Sequence, residues 1–188
     1  MRLFVAVSPD DTLRRAVLQV QRGLAAGLTR GSLTRAENLH LTLAFLGETP
    51  PERIGAARRA MQVAAGAPFS AALSRVGRFR GRGDELVWLG LAQTPELMAL
   101  AERLTRALRA EGFSLERRAF TPHLTLARRA MCRPGFVPEQ LPVPPARWRM
   151  TGLQLMESTR PDGVLTYRPV CTVPLAPNRI PAGNAGKR

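Results

Sequence analysis

The sequence of 188 residues predicts a fold that mixes strands with helices and is built from two similar halves. Two observations support this prediction. Each half shows a strand, an amphipathic helix and a second strand in the same order. Corresponding positions in the two halves are also a constant 83 residues apart, as for Arg2 and Glu85, Asp11 and Thr94, and His40 and His123. A constant offset across three elements indicates an internal duplication.

The first half begins with a predicted strand at residues 2–7, which is rich in β-branched and aromatic side chains. A helix is predicted over residues 9–28, because apolar side chains recur there at spacings of three and four. Gly31 and Ser32 break the chain. Residues 38–46 then form the second predicted strand, which ends at Gly47.

The second half repeats this order. Residues 85–91 predict a strand, and Thr94 is a candidate helix cap with Pro95 in the first helical turn. The apolar stripe of this helix is formed by Leu97, Leu100, Leu104 and Leu108. Gly112 ends the helix, and residues 120–127 predict the second strand.

The other segments complete a single domain at residues 1–175. Strands are predicted at residues 69–76, 150–157 and 165–173, and a helix at 51–64. Residues 78–83 predict a basic, glycine-containing loop, and the proline-rich residues 133–147 an irregular segment. Residues 176–188 have too few apolar side chains to pack, so we expect a disordered tail.

The composition favours an anionic partner. The net charge is +14 and the pI is near 11.7, a balance typical of proteins that bind nucleic acids. Because 27 of the 28 basic residues are arginine, the bias could equally reflect genomic composition. The sequence has no apolar run of membrane-spanning length and no secretory signal, so we expect a cytoplasmic protein. Cys132 and Cys171 are expected to be free thiols.

The strongest functional signal is a repeated tetrapeptide. The only two histidines of the chain begin two identical segments, His-Leu-Thr-Leu at 40–43 and at 123–126. Side chains alternate along a strand, so histidine and threonine share one face while both leucines face the core. One imidazole could remove a proton while the other donates one, and threonine hydroxyls could bind phosphate oxygens.

Two other interpretations of these histidines are weaker. A single His-x-Thr would most simply be a histidine on a half-buried strand, but two copies at the repeat offset argue against that interpretation. A structural zinc site needs four ligands and a catalytic site three. With only two histidines and no cluster of histidine and cysteine, we expect no metal and no other cofactor.

The two His-x-Thr-x motifs, the opening RLFVAV, the HLTLAFLG segment and the HLTLAR segment resemble the two-histidine (2H) phosphoesterase superfamily. Within it, they are most similar to the RNA 2′,3′-cyclic phosphodiesterases, also called 2′-5′ RNA ligases (LigT/ThpR-like). This resemblance implies a bilobal α+β fold, with two antiparallel sheets facing a central groove, helices outside and a pseudo-two-fold duplication. It also implies hydrolysis of a terminal 2′,3′-cyclic phosphate of RNA to a 2′-phosphomonoester, with possible 2′-5′ ligation in reverse.

The resemblance also implies roles for individual residues. His40 would be the general acid and His123 the general base, while Thr42 and Thr125 would hold the phosphate. The family commonly has an arginine five residues after the second histidine, which here is Arg128. Strict alternation would point Arg128 away from the groove and favour its neighbour Arg129, unless the strand bulges there. Phe45 has the equivalent place in the first half and could stack on a base, although apolar strand residues are more often in the core.

The expected partner is RNA with 2′,3′-cyclic phosphate ends, bound by a monomer. Two alternatives remain open. The same site could act on small cyclic phosphates or on 2′-5′ oligonucleotides, or the chain could be an RNA-binding module without catalysis.

Overall fold

The computed structural model describes residues 1–81 and 84–176, which contain nine strands and three α-helices. The strands are β1 (Arg2–Val7), β2 (Leu28–Leu33), β3 (Leu41–Glu48), β4 (Phe69–Arg80), β5 (Glu85–Leu91), β6 (His123–Cys132), β7 (Arg147–Met150), β8 (Gly152–Thr159) and β9 (Thr166–Pro174). The helices are α1 (Asp11–Ala25), α2 (Ile54–Ala64) and α3 (Pro95–Ala110).

Helices α1 and α3 are placed by the local signals in their sequences. The side chain of Asp10 caps α1 by accepting a hydrogen bond from the backbone N–H of Leu13 at 2.7 Å. Thr94 caps α3 in the same way, accepting from the N–H of Leu97, and Pro95 opens the helix. Each helix buries its predicted apolar stripe, so both helix predictions are confirmed.

The strands form one antiparallel sheet in the order β7-β4-β5-β6-β3-β1-β8-β9, and β2 pairs with part of β6. The two halves of this sheet meet between β3 and β6, where the pair Leu41↔Leu124 joins them. The prediction of two separate antiparallel sheets is therefore wrong in this respect. The motif strands are the inner edges of the two halves, and they approach closely enough to hydrogen-bond at this one place.

The order of the six central strands is symmetric about that pair. Strands β1 and β5, β3 and β6, and β4 and β8 correspond at an offset of about 83 residues, and each strand of a pair lies equally far from the centre. Leu41 and Leu124 themselves correspond at this offset. The pseudo-two-fold axis therefore passes between them. The outermost strands, β7 and β9, have no such correspondence.

Several predicted boundaries are corrected. Strand β2 occupies residues for which the helix tail and a chain break were predicted, and β7 lies at the end of the segment that was predicted to be irregular. Both strands are stabilised by their neighbours β6 and β4, which the local sequence does not reveal. Strand β4 extends to Arg80, into the predicted loop. Residues 82–83 of that loop and residues 177–188 of the predicted tail lie outside the described residues.

One large core joins the apolar faces of the three helices to the inward side chains of the strands. The leucines of both motifs belong to this core, and so do Leu3, Val5 and Val7 of β1. On the other face of β1, Phe4 and Ala6 form a small separate cluster with Met156 and Tyr167. The histidines lie on this second face.

Candidate active site

The two motifs come together at the pseudo-two-fold axis. Strands β3 and β6 are antiparallel and share the pair Leu41↔Leu124. Counting one residue in either direction from this pair sets His40 opposite Thr125, and Thr42 opposite His123. All four side chains are half-buried, while the leucines between them are buried in the main core. The structure thus brings together the four residues predicted from the motifs.

Both imidazoles are oriented by the same backbone contact. Nδ1 of His40 lies 2.7 Å from the carbonyl oxygen of Asn38, and Nδ1 of His123 lies 2.6 Å from that of Thr121. A carbonyl oxygen can only accept, so Nδ1 carries a hydrogen in each ring and Nε2 is left for proton transfer. Asn38 is itself held, because its side-chain amide donates to the carbonyl of Leu165 at 2.9 Å.

Different aromatic side chains pack on the two histidines. The ring of His40 contacts Phe4 and Tyr167, each with ring centroids 4.9 Å away. The ring of His123 contacts Phe79 at 5.2 Å and Trp88 at 6.0 Å. None of these four residues was predicted from the sequence as part of the site. Phe4 and Trp88 could have been found, since they lie on the strands next to the motif strands.

Two glycines make room for the indole of Trp88. A Cβ atom at Gly77 would lie 2.3 Å from this ring, and one at Gly90 would lie 3.0 Å from it. Gly77 is also the cross-strand partner of Trp88. The position of the indole beside His123 therefore depends on the absence of side chains at both glycines.

Burial lowers the pKa of both histidines. The pKa of His40 falls from 6.5 to about 4, chiefly by desolvation, and the charges of Arg128 and His123 lower it further against the opposing effect of the Asn38 carbonyl. The pKa of His123 is also lowered, chiefly by desolvation and also by Arg128, while the Thr121 carbonyl opposes the shift. Both imidazoles are therefore neutral at pH 7 before substrate binds.

The irregular pairing of β6 favours Arg128 over its neighbour Arg129 as the arginine of the site. Between residues 127 and 130, β6 has one residue more than either neighbour, as the pairs Val87↔Ala127 and Glu85↔Ala130 show for β5. Arg129 lies in the bulge with a left-handed backbone (φ +51°). The strict alternation that favoured Arg129 already fails between Thr125 and Ala127, which pair with the consecutive residues Trp88 and Val87 of β5. Arg128 is the arginine whose charge lowers the pKa of both histidines.

Two open clefts flank this centre. The first, of about 710 Å³, contains His40 and Thr125; the second, of about 1790 Å³, contains His123 and Thr42. Thr125 and Arg128 line both clefts. Further cationic side chains line the first cleft (Arg35, Arg80, Arg129 and Arg160) and the second (Arg109, Arg117 and Arg118).

Phe45 lies at the second cleft and not in the core. Its side chain is 56% exposed, and its ring lies 6.1 Å from that of Phe4. The position fits the predicted role in stacking on a base, since a large aromatic surface faces the cleft on the His123 side.

Other kinds of site have little support in the described part of the chain. No group of three or more His, Cys, Asp or Glu residues that could hold a metal ion occurs there. Burial raises the pKa of the thiols of Cys132 and Cys171, so neither is an activated thiolate. No helix among these residues is long and apolar enough to span a membrane.

Known proteins share both the sequence pattern and the fold. Residues 8–162 match the family model described as the 2′-5′ RNA ligase superfamily. The RNA 2′,3′-cyclic phosphodiesterase of Thermus thermophilus is 32% identical over an alignment that covers 92% of this chain and 87% of the relative. The relative of that name from Geobacillus stearothermophilus is 34% identical over 76% of this chain, which spans only 46% of its length.

A solved structure has the same fold over most of this chain. The crystal structure of Escherichia coli LigT complexed with 3′-AMP superposes with a TM-score of 0.74 at 30% identity, over 93% of this chain and 97% of that one. Family model and structure agree over most of the described residues. The chain therefore belongs to the 2′-5′ RNA ligase superfamily, within its family of LigT-like RNA 2′,3′-cyclic phosphodiesterases.

Proposed function

We propose that this protein hydrolyses the terminal 2′,3′-cyclic phosphate of RNA to a 2′-phosphomonoester by acid–base catalysis. The observation that carries the proposal is the pair of identical His and Thr side chains on one face, on either side of the pair Leu41↔Leu124. Each imidazole is held at Nδ1 by a backbone carbonyl, which leaves Nε2 for proton transfer. A protein that only binds RNA would need no such pair.

In the proposed reaction His123 acts as the base and His40 as the acid, as the family resemblance implies. Nε2 of His123 accepts a proton from water as the water oxygen attacks phosphorus. The bond between phosphorus and O3′ breaks, and Nε2–H of His40 protonates the departing O3′. Thr42 and Thr125 donate hydrogen bonds to the non-bridging oxygens, and Arg128 compensates the charge that develops on them.

The acid needs a proton that the free site does not hold at pH 7. The pKa of His40 near 4 and the lowered pKa of His123 leave both rings neutral there. A bound phosphate anion raises both pKa values, since it stabilises the imidazolium and offsets the charge of Arg128. The free site would by itself favour His40 as the base. The assigned roles therefore require the bound phosphate to raise the pKa of His40 above that of His123.

The clefts support RNA as the substrate. Arginines line both sides of the phosphate position, and the net charge of +14 favours a polyanion. The matched relatives carry the name RNA 2′,3′-cyclic phosphodiesterase, and LigT has been crystallised with 3′-AMP. We expect a monomer that acts in the cytoplasm without a metal or another cofactor.

The presence of a cleft on each side of the phosphate position favours a second candidate substrate. A nucleotide in each cleft would give a 2′-5′ linked phosphodiester, whose cleavage, or formation in reverse, would use the same acid and base. Small cyclic phosphates would fill only one cleft. Substrate profiling separates these possibilities from hydrolysis of RNA ends.

One experiment tests the proposal. The purified protein is incubated in EDTA with an RNA oligomer that ends in a 2′,3′-cyclic phosphate, and the product is identified by mass and by phosphatase sensitivity. We expect a 2′-phosphate, and no product with His40→Ala or His123→Ala. Unchanged turnover in either variant would refute acid–base catalysis by that histidine. Activity that is lost in EDTA and restored by zinc would refute the metal-free reaction.

A further inference from the structure

Helix α1 carries one buried polar side chain on its apolar face. Gln21 is 6% exposed and lies on the face that also buries Val17 and Leu24. Its side-chain nitrogen donates to the carbonyl oxygens of Thr34 at 2.7 Å and Leu126 at 2.9 Å. A buried amide is unfavourable unless it is hydrogen-bonded, and here both N–H groups are used on backbone carbonyls.

Leu126 is the residue at which β6 departs from regular pairing with β5. Trp88 pairs with Thr125 and its neighbour Val87 pairs with Ala127, so Leu126 is left without a partner on β5. Its carbonyl oxygen accepts from Gln21 and also from the backbone N–H of Thr34 at 2.8 Å. Gln21 therefore ties α1 to the end of β2 and to the irregular part of β6.

We propose that Gln21 is a positioning residue that holds Thr125 and Arg128 at the phosphate position. This inference rests on the proposed function. Thr125 immediately precedes Leu126, and Arg128 follows it by two residues. The orientation of the peptide group at Leu126 therefore sets the directions of both side chains. Gln21 does not line either cleft, so it acts through β6 and not on the substrate.

The test compares Gln21→Met, which keeps the length of the side chain but loses both donors, with the wild-type protein. We expect kcat to fall by about 10- to 100-fold, the range that follows an ångström-scale misplacement of a reacting group. We also expect the pKa values of both histidines to rise, because the Arg128 charge that lowers them moves away. The chain has two histidines, so NMR titration gives two imidazole signals, which His40→Ala and His123→Ala assign.

Two further variants separate positioning from stability. Thr49→Val removes another buried hydrogen bond, from Oγ1 to the carbonyl of Gly47, and neither residue lines a cleft, so the variant should lower stability without moving either pKa. The double variant Arg128→Ala/Gln21→Met should have the same two histidine pKa values as Arg128→Ala alone, because the charge that Gln21 positions is already absent. Gln21→Asn keeps an amide that is one methylene too short for both carbonyls, and it replaces Gln21→Met if that variant does not fold.

The titration distinguishes failure of the inference about Gln21 from failure of the proposed hydrolysis. Histidine pKa values that stay unchanged in a folded Gln21 variant overturn the inference, even if RNA is hydrolysed. A rise in both pKa values that Thr49→Val reproduces overturns it as well. A rise confined to the Gln21 variants supports it, and supports it also if the wild-type protein fails to hydrolyse the cyclic phosphate, because the titration needs no turnover.

Discussion

Replacing Arg128 should weaken catalysis and move the pH profile in a direction that the structure fixes. Arg128 lines both clefts and is the side chain whose positive charge lowers the pKa of both histidines. In the proposed complex its removal takes away hydrogen bonds to the phosphate, each worth about 1.5–3 kcal/mol when a charged group takes part. One such bond corresponds to a loss of roughly 10- to 150-fold in kcat/KM.

The expected pH shift follows from the sign of the interaction. A positive charge disfavours the imidazolium, so Arg128→Ala raises both pKa values. The limbs of a bell-shaped kcat/KM profile report the base and the acid of the free enzyme. Both limbs should therefore move to higher pH in Arg128→Ala, from a wild-type optimum below the ordinary imidazole pKa of about 6.5.

Arg129→Ala provides the matched control. Arg129 is the adjacent residue and is also exposed, but it lines only the first cleft. We expect a smaller loss of activity and an unshifted profile. The steady-state kinetics of both variants between pH 4 and 9 decide the matter. An Arg128→Ala profile that keeps its limbs, or a larger loss in Arg129→Ala, would refute the reasoning.

Three other predictions concern the surroundings of the site. Phe45→Ala should raise KM for RNA by roughly 5- to 150-fold, since stacking of a base on an aromatic ring contributes about 1–3 kcal/mol; equal KM values for RNA in wild type and variant would exclude stacking. Gly77→Ala should lower both stability and kcat, because the new Cβ would lie 2.3 Å from the Trp88 ring, and an unchanged melting temperature would contradict this. Between pH 6.5 and pH 4 the wild type should lose on the order of 3 kcal/mol more of its free energy of unfolding than His40→Gln does. The reason is that the unfolded chain binds a proton at His40 in this range, whereas the folded protein, with a His40 pKa of about 4, does not. Denaturant unfolding at both pH values measures this difference, and parallel losses in the two proteins would contradict it.

The elements that the sequence predicted best are those whose signals are local. Helix α1 and helix α3 have capping residues and apolar stripes, and both motif strands have alternating side chains. Strand β2 has no such signal, since it is almost entirely exposed and is stabilised by its pairing with β6. Strand β7 has four residues and depends on β4 in the same way. Both strands therefore form because of pairing with strands that are distant in the sequence, which local signals do not reveal.

The residues of the candidate site also fall into those that local sequence signals predict and those that depend on tertiary structure. Alternation along a strand sufficed to predict His40, Thr42, His123 and Thr125 as one group. It could not predict the bulge in β6, where Arg129 adopts a left-handed conformation although it is not a glycine. Nor could it predict that Leu126 has no partner on β5, which shifts the alternation between Thr125 and Arg128. Only the structure shows which arginine lowers the pKa of both histidines.

The two identical motifs have different surroundings, and this difference bears on which histidine acts as the acid and which as the base. Phe4 on β1 lies beside His40, and Trp88 on β5 lies beside His123. The other aromatic contact comes from β4 for His123 and from β9 for His40, and β9 has no counterpart in the other half of the chain. Desolvation is the largest cause of the pKa shift at both rings. Acid–base catalysis needs one imidazole neutral and the other protonated, and a difference in proton affinity decides which ring is which. We infer that this difference arises from the unlike flanking contacts, above all that of β9, which lies outside the repeat, since the motifs and their backbone contacts are the same.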